Sequence, residues 1–515
     1  MSATEISLLA FLLFAVVGLL LYFISPKRFK WVSLVIVSIA GAFILTAYWI
    51  IFIFVIVTMA YISGRLIDRN NNKYDEEKAL LEKEEKKKLK KEYNKKNKII
   101  MFSFVGVILL TLALLKYFNL PLGTLNNWFD KYYFLDILFP ILGISYYALI
   151  AISYVVDVYR GKAIAQHNYL KLYLFIGYFP SLVEGPFSRY DELSPQLYKD
   201  TNPEYQDIVE GFHLIVWGAF KKIFIADRAY MFVETVYGDW GTFNGYIGLL
   251  SIVIYVFELY ADFSGYIDIA RGVSRLFGIK LTKNFDSPLM SRTVGEFWRR
   301  WHISLGSWLR DYIFYPIALT RPMMKLSKKL HGNVKEWMEK IIINAIPLFF
   351  VWLCCGIWHG AGIKFVIYGM YFFIVIILEM LLEPLNKMVF KKDNWFLHLL
   401  SIIRTFIFVT IGLALFKAPS FHFFWCFLKH IPSTNKLGHF IGIGTLNIYD
   451  FRLLVFGIII IILVDIIHYF RPQLKLSNFN IVIRYIILII MILVIVFFGA
   501  YGPDYSDVAP MYALY

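Results

Sequence analysis

The chain has 515 residues, of which 59% are hydrophobic, 19% aromatic and only 17% charged, whereas an average soluble domain is about 25% charged. Apolar runs of roughly 17 to 20 residues recur along it, long enough to cross the hydrocarbon layer of a bilayer. This composition excludes a secreted disulfide scaffold, a disordered tail protein and an ordinary cytosolic enzyme. It predicts an all-α polytopic membrane protein.

The net charge of +15 comes from lysines and arginines that fall mainly between the apolar runs, the distribution that the positive-inside rule describes. We therefore expect membrane lipid, and no nucleic acid, as a partner. The three cysteines are the adjacent Cys354 and Cys355 and the separate Cys426. Because they form no CxxC pair, they predict neither a disulfide framework nor a metal site.

The N-terminal part of the chain is predicted to cross the membrane three times before a highly charged segment. Residues 6–24 form the first span, and the apolar stretch 31–63, too long for one helix, is divided near residues 47–49. Residues 65–98 then carry 13 Lys or Arg and 8 Asp or Glu. They predict a solvated cytoplasmic segment, either a helical hairpin or a single charged helix, whose lysine-rich half also suits anionic lipid headgroups. The N-terminus is then outside.

The middle of the chain is less regular. Residues 168–190 contain Phe179-Pro180 and Gly185-Pro186 in apolar surroundings, which predicts a broken, re-entrant segment. Residues 280–330 are rich in Trp, Arg and Pro and predict amphipathic helices in the membrane plane. With the further spans, about eleven to thirteen membrane helices result. These spans are predicted at 99–117, 134–155, 342–358, 364–382, 399–416, 451–469 and 481–499, whereas residues 205–225 and 245–262 are predicted as further spans or core helices.

Among the ten histidines, His359 has an unusual setting. It ends an apolar segment and is followed by Gly360. An ionisable group inside a membrane is a functional candidate, and glycine allows a substrate or a second helix to approach closely. A packed structural histidine is the alternative.

The second candidate is His302, in the segment 296–312. If this segment is one helix, Trp301, Leu305 and Trp308 share one face, and Trp298, His302 and Gly306 share another. One interpretation is an interfacial amphipathic helix. The other places His302 at a polar tunnel, with Arg299, Arg300 or Arg310 near a phosphate-bearing donor.

Asp157, Glu184 and Asp262 lie in apolar company, and each should have a partner, because an unpaired charge is costly in lipid. The sequence has no GxxxxGK[ST], HExxH or credible GxSxG motif. A histidine can act as a general base on a substrate hydroxyl without a metal or a protein nucleophile. We therefore expect no metal and no bound cofactor.

At these motifs the chain resembles the membrane-bound O-acyltransferases, in their bacterial alginate O-acetyltransferase and D-alanyl transfer branch, and is more similar to the former type. The resemblance covers most of the chain from about residue 134 onward. The motifs that support it are Gly185-Pro186 with Phe187-Ser188-Arg189-Tyr190, Phe220-Lys221-Lys222, Ile225-Ala226-Asp227-Arg228, Asp262-Phe263-Ser264-Gly265-Tyr266, Asn284-Phe285-Asp286-Ser287-Pro288, Glu296 to His302, and Cys355-Gly356-Ile357-Trp358-His359-Gly360.

The resemblance implies that His359 is the principal active-site histidine and that His302 is the second signature residue, in a tunnel from a cytoplasmic donor side to an outer acceptor side. It divides the chain into N-terminal transmembrane helices (1–64), a charged cytoplasmic linker (65–98), a catalytic core (99–390) and C-terminal transmembrane helices (391–515). The donor and tunnel candidates are Trp298, Arg299, Arg300, Trp301, Arg310, Asp311, Lys221, Lys222, Trp358 and Asp262.

The resemblance further implies a multi-pass protein of the bacterial cytoplasmic membrane, with acetyl-CoA as acyl donor. The acetyl group is expected to reach an extracytoplasmic polysaccharide or cell-wall glycan, directly or through an outer SGNH-type acetyltransferase. D-alanyl transfer from a carrier protein to teichoic acid is an alternative. A glycan flippase without acyl chemistry is another, although a transporter has no need of the two histidine motifs together.

Overall fold

The computed structural model describes residues 8–117, 143–182, 184–238, 243, 245–360, 362–389, 394–430, 447–501 and 505. Within these ranges all regular secondary structure is helical, and nine helices are long and apolar enough to cross a membrane. Two shorter apolar helices, Leu8–Ile24 and Ile144–Tyr159, accompany them. The prediction of an all-α polytopic membrane protein is therefore confirmed.

The α-helices of the described ranges are α1 (Leu8–Ile24), α2 (Lys30–Thr46), α3 (Ile50–Glu77), α4 (Lys83–Tyr117), α5 (Ile144–Tyr159), α6 (Tyr169–Ile176), α7 (Tyr190–Leu197), α8 (Tyr205–Ala219), α9 (Asp227–Gly238), α10 (Gly245–Leu276), α11 (Val294–Arg300), α12 (Ile303–Leu309), α13 (Tyr315–Ala318), α14 (Arg321–Leu330), α15 (Glu336–His359), α16 (Ile363–Val389), α17 (Trp395–Lys417), α18 (Phe421–His430), α19 (Ile448–Phe470) and α20 (Ile481–Phe498).

The predicted break in the stretch 31–63 is confirmed. Helix α2 ends at Thr46, a 3₁₀ turn covers Ala47–Trp49, and α3 begins at Ile50. Ala47 has a φ of 47°, a conformation that a continuing right-handed helix does not contain. The chain therefore turns sharply between two apolar helices.

The charged segment forms a helical hairpin, one of the two predicted forms, and not a single helix. Helix α3 runs on to Glu77, and α4 begins at Lys83. Asn70 Nδ2 donates to Asn97 Oδ1 at 2.8 Å, and the Tyr93 hydroxyl donates to Glu77 Oε1 at 2.8 Å. Polar contacts of this kind hold the arms together where few apolar side chains are available.

The described residues of 168–190 form short elements that are mostly buried, as the prolines require. Helix α6 begins where the Asn168 side chain accepts a hydrogen bond from the Lys171 amide, and it ends at Ile176. A 3₁₀ turn at Phe179–Ser181 contains Pro180. The break is confirmed, whereas a re-entrant path through lipid stays a prediction.

The chain divides into two units. The described residues of 1–212 and 270–282 belong to the first unit, and those of 213–269 and 283–501 to the second. Both candidate histidines, His302 and His359, lie in the second unit. The fourfold division made from the sequence stays a prediction.

The second unit contains a π-helix that was not predicted from the sequence. It covers Phe220–Ala226 and joins α8 to α9 without a break. A Cβ atom at Gly218 would stand 2.5 Å from the carbonyl oxygen of Gly265, so only glycine lets this helix approach α10 so closely. The wider turn presents both Lys221 and Lys222 to α10.

The buried guanidinium of Arg228 joins three helices of the second unit. Its Nε lies 3.1 Å from Asp450 Oδ1 in α19, and its terminal nitrogens donate to the carbonyl oxygens of Phe224 and Phe498. Since Arg228 is only 1% exposed, removal of one partner would leave a buried charge uncompensated.

Candidate functional site

His359 is the last residue of α15 and is buried, with 4% of its surface exposed. Helices α15 and α16 cross so closely that only glycine fits at two positions. A methyl group at Gly356 would collide with the Phe365 carbonyl, and one at Gly369 would collide with the Trp352 carbonyl. This packing brings the Tyr368 ring edge-on to the imidazole, with centroids 5.6 Å apart. The histidine is therefore held in an aromatic, largely dry setting.

His302 lies at a break between two short helices, so the prediction of one helix over 296–312 is wrong. Helix α11 ends at Arg300, α12 begins at Ile303, and His302 has left-handed backbone angles of φ 47° and ψ 52°. The two faces drawn for a continuous helix therefore do not exist. A π-helix at Arg310–Phe314 interrupts the helical period again.

Asn284 explains why the helix breaks at this point. Its backbone carbonyl accepts a hydrogen bond from the Ile303 amide at 2.9 Å, and its side-chain Oδ1 accepts one from the Ser304 amide at 3.1 Å. In a continuous helix these amides would bond to carbonyls one turn earlier. Asn284 supplies the replacement acceptors and is itself fully buried, so it stabilises the left-handed residue between the helices.

The structure brings the two histidines together around one indole ring. The Trp358 ring centroid lies 6.4 Å from that of His302 and 4.8 Å from that of His359. Burial lowers the pKa of the His302 imidazole well below its usual range, and the electrostatic interaction with the nearby His359 lowers it further. His302 lies outside the membrane-spanning helices and is neutral near pH 7 in this environment.

Two tryptophans of the same segment, the half-buried Trp298 and the buried Trp301, have different surroundings. The Trp298 ring is edge-on to Phe372 at 4.8 Å and to Trp352 at 5.1 Å, beside the histidines. The Trp301 ring stacks on Phe297 at 5.3 Å and contacts the aromatic side chains of α10, among them Phe263, whose ring centroid lies 4.8 Å from that of His302. Trp298 therefore lies on the His359 side of the candidate site, and Trp301 contacts the aromatic cluster that packs against His302.

Lys221 and Lys222, predicted as donor contacts, are both buried in ion pairs. Lys221 Nζ lies 2.7 Å from Asp268 Oδ2, and Lys222 Nζ lies 2.6 Å from Asp262 Oδ1 and 2.9 Å from Asp227 Oδ1. Burial acts to lower the pKa of Lys222, but the carboxylates of Asp262 and Asp227 raise it above its usual value overall. The expected partner of Asp262 is thus Lys222, and the geometry indicates a structural role for all three predicted residues.

The arginines differ in their availability. Arg300 Nε lies 2.9 Å from Glu296 Oε1, and the guanidinium also faces Asp286 at 3.6 Å. Arg299 and Arg310 are exposed, and Arg310 makes a 3.5 Å ion pair with Asp311. Arg299 and Arg310 therefore remain candidates for an anionic donor.

Three neighbours of the site were not predicted. Phe416, at the end of α17, lies against the His359 ring, and Lys364 donates hydrogen bonds to the end of the same helix. Asn284 belongs to the motif of residues 284–288, but its hydrogen bonds to the backbone beside His302 could be recognised only in the folded structure. No group of three or more His, Cys, Asp or Glu that could hold a metal occurs in the part of the chain that the structure describes.

The arrangement suits proton transfer in a dry environment. A neutral imidazole accepts a proton from a hydroxyl and returns it to a leaving group, and aromatic walls exclude competing water. Both histidines, one at a helix end and one at a helix break, are held by packing rather than by flexible loops.

Comparison with known proteins finds relatives that are named as acetyl- or D-alanyl-transferring enzymes. A Pseudomonas putida protein named probable alginate O-acetylase is 32% identical over 326 residues, which cover 62% of this chain and 61% of that protein. A peptidoglycan O-acetyltransferase of Helicobacter pylori is 32% identical over 50% of this chain and 51% of its own length. A teichoic acid D-alanyltransferase of Bacillus subtilis is 32% identical over 55% of this chain and 70% of its own length. The match thus spans about 60% of the length of the alginate-type relatives. No family model matches the chain.

Proposed function

Because the chain belongs to the membrane-bound O-acyltransferase family, we propose that it is an O-acyltransferase that moves an acetyl group from acetyl-CoA across the membrane. The acetyl group is used for O-acetylation of an extracytoplasmic polysaccharide or cell-wall glycan. In this proposal the protein lies in the bacterial cytoplasmic membrane.

One observation supports the proposal most strongly, the contact of both His302 and His359 with the Trp358 ring in a buried aromatic setting. His359 acts as the general base on the acceptor hydroxyl. His302, neutral and buried, lines the same tunnel. General-base help of this kind contributes about 10²- to 10⁴-fold in rate.

The donor enters from the cytoplasm. Acetyl-CoA is anionic, and the positive-inside rule places the basic hairpin of α3 and α4 on the cytoplasmic side. The exposed guanidiniums of Arg299 and Arg310 suit its phosphates, since planar guanidinium groups bind phosphate in a bidentate manner. The acceptor on the outer face is the glycan or an SGNH-type acetyltransferase that passes the acetyl group on.

D-alanyl transfer is a second candidate function. The D-alanyltransferase of Bacillus subtilis is as similar in identity as the alginate-type relatives, and a larger share of its length is matched. In this alternative the donor is a carrier-protein thioester and the acceptor is teichoic acid. The same pair of histidines would serve it.

The test is reconstitution of the full-length protein in sealed vesicles of known orientation, with labelled acetyl-CoA supplied on one side only. Label on an acceptor at the opposite face supports the proposal. Label transferred only on the donor side rejects transfer across the membrane. Failure to use acetyl-CoA, with use of the D-alanyl carrier thioester, selects the second candidate. Vesicles with His359→Gln are the matched control.

A further inference from the structure

Two buried hydrogen-bond donors near the histidines have no acceptor among the residues that the structure describes. They are the Trp298 indole Nε1 and the Asn284 side-chain Nδ2, and each has less than 1 Å² exposed to solvent. A buried donor left unsatisfied costs about 1–3 kcal/mol, and most such groups in native proteins are satisfied. An external oxygen atom is the natural partner of such donors in a substrate site.

The orientation of the Asn284 amide is fixed by its neighbour. The Ser304 amide can only donate, and it lies 3.1 Å from the atom assigned as Oδ1. The assignment is therefore required by chemistry, since the reverse would set two donors against each other. The oxygen of the Asn284 amide therefore binds the backbone beside His302, and the NH₂ group is the donor that has no acceptor among the described residues.

The Trp298 indole is fixed by its walls. Its ring is edge-on to Phe372, Trp352 and Tyr368, with centroids 4.8, 5.1 and 6.4 Å away. Tyr368 is in turn edge-on to the His359 imidazole at 5.6 Å. The indole thus belongs to the wall that holds His359, and it lies one helical turn before His302 in the chain.

We propose that Trp298 Nε1–H and Asn284 Nδ2–H bind the carbonyl oxygen of the acyl group and stabilise its oxyanion during transfer. This inference rests on the proposed function. Both residues are catalytic in it, because both touch the reacting oxygen. Preorganised donors at this position are often the largest single contribution to acyl-transfer catalysis.

In the proposed transfer step, one ester bond forms and one thioester bond breaks. The acceptor hydroxyl oxygen bonds to the carbonyl carbon of the thioester, its proton passes to His359, and the carbonyl π electrons move onto the oxygen held by the two donors. The tetrahedral oxyanion then collapses and the carbon–sulfur bond breaks. The proton passes from His359 to the leaving thiolate, so the products are an ester and a thiol.

Three variants separate the donor role from a structural one. Trp298→Phe keeps an aromatic ring and removes the N–H. Asn284→Asp keeps the acceptor for the Ser304 amide and removes the NH₂ donor, whereas Asn284→Ala removes both. Trp217→Phe is the matched control, because Trp217 is also half-buried in the second unit and stacks on Phe220 at 5.6 Å.

The binding test uses two unreactive CoA derivatives, S-acetonyl-CoA, which carries a ketone oxygen, and S-propyl-CoA, which lacks it. The full-length wild type and Trp217→Phe should prefer the ketone by about tenfold, the value of one or two net hydrogen bonds. Trp298→Phe and Asn284→Asp should lose this preference. In the vesicle assay Trp298→Phe should lower kcat for acetyl transfer about 100-fold and raise KM by no more than about tenfold, the share of the contact that the ground state already makes.

The outcomes are distinguishable. An active wild type whose ketone preference and kcat survive in both Trp298→Phe and Asn284→Asp overturns the inference and leaves the proposed function standing. A wild type that binds neither derivative and transfers no acetyl group overturns the proposed function, and the inference falls with it. If Asn284→Asp does not fold, Trp298→Phe decides the question alone.

Discussion

The phenyl ring of Phe416 stands edge-on to the imidazole of His359, with ring centroids 5.1 Å apart and an interplanar angle of 85°. Phe416 lies at the end of α17, and two ammonium groups hold that end in place. Lys364 Nζ donates to the carbonyl oxygen of Ala418 at 2.7 Å, and Lys417 Nζ lies 2.7 Å from Glu234 Oε2. The ring that contacts the His359 imidazole is therefore supported by charged contacts outside the aromatic pocket.

Replacement of Lys364 by Met should weaken this support. The loss of a hydrogen bond from a charged donor costs roughly 1.5–3 kcal/mol, less where water screens it. A ring displaced by about 1 Å beside a catalytic group can cost on the order of 100-fold in rate. We expect a lower Tm and at least a tenfold lower kcat, with Lys364→Arg restoring most of both. Equal kcat in Met and Arg variants would show that the contact does not position His359.

Replacement of His359 by Gln should abolish acyl transfer and leave the fold intact. Glutamine has a similar reach and a polar end but cannot take up a proton at neutral pH, so the loss should be about 10²- to 10⁴-fold. The measurement is acetyl transfer in vesicles at matched protein level, with thermal unfolding in detergent as the folding control. Wild-type transfer by His359→Gln would refute the general-base assignment.

Much of this architecture follows from local sequence features. The turn at Ala47–Trp49 was predicted from helix length alone, and the hairpin was one of the two forms predicted from interleaved charges. His359 was found because a titratable group in an apolar segment is rare. In each case the signal lies within one or two helical turns of the chain.

The features that were missed depend on residues distant in sequence. The break at His302 needs the side chain and carbonyl of Asn284, 18 positions earlier, to replace helical acceptors. The π-helix at Phe220–Ala226 needs the glycine of α10 opposite it. Periodicity favours a regular helix in both places, because the competing contacts are tertiary.

The left-handed backbone of His302 predicts an order among its variants. Asparagine tolerates φ near +47° better than leucine, for which this conformation costs roughly 1–2 kcal/mol. His302→Asn also keeps a polar side chain at this position. We expect it to retain a higher Tm and more transfer activity than His302→Leu. If both variants match the wild type, His302 has only a structural role.

The depressed pKa of His302 gives a pH dependence of stability. In the unfolded chain histidine titrates near pH 6.5, and burial together with His359 lowers the folded value well below that. Between the two values the unfolded state binds more protons, so stability is complete above about pH 6.5 and falls as the pH decreases. The loss reaches at most about 1.4 kcal/mol near pH 5.5.

The measurement for this pH effect is thermal unfolding in detergent at about pH 7.5 and 5.5. His302→Asn lacks the titrating group, so its Tm should fall less than that of the wild type over the same interval. A larger fall in the variant would reverse the sign and contradict the assignment of a neutral, buried imidazole.

The charged hairpin should be dispensable for acyl transfer. Asn70 and Asn97 face each other with a 2.8 Å hydrogen bond, so a short linker can join the two helices at this level. We expect a variant with residues 71–96 replaced by about four Gly and Ser residues to insert and to transfer acetyl within about twofold of the wild type, because loop closure depends weakly on length.

A matched variant keeps the hairpin but has Lys86, Lys87 and Lys88 changed to Gln. If the shortened variant inserts normally but is inactive and the Gln variant is also inactive, the hairpin's lysines bind the donor or a partner. If only the shortened variant is inactive, the helical arms themselves are required, and the connecting role proposed for them is wrong.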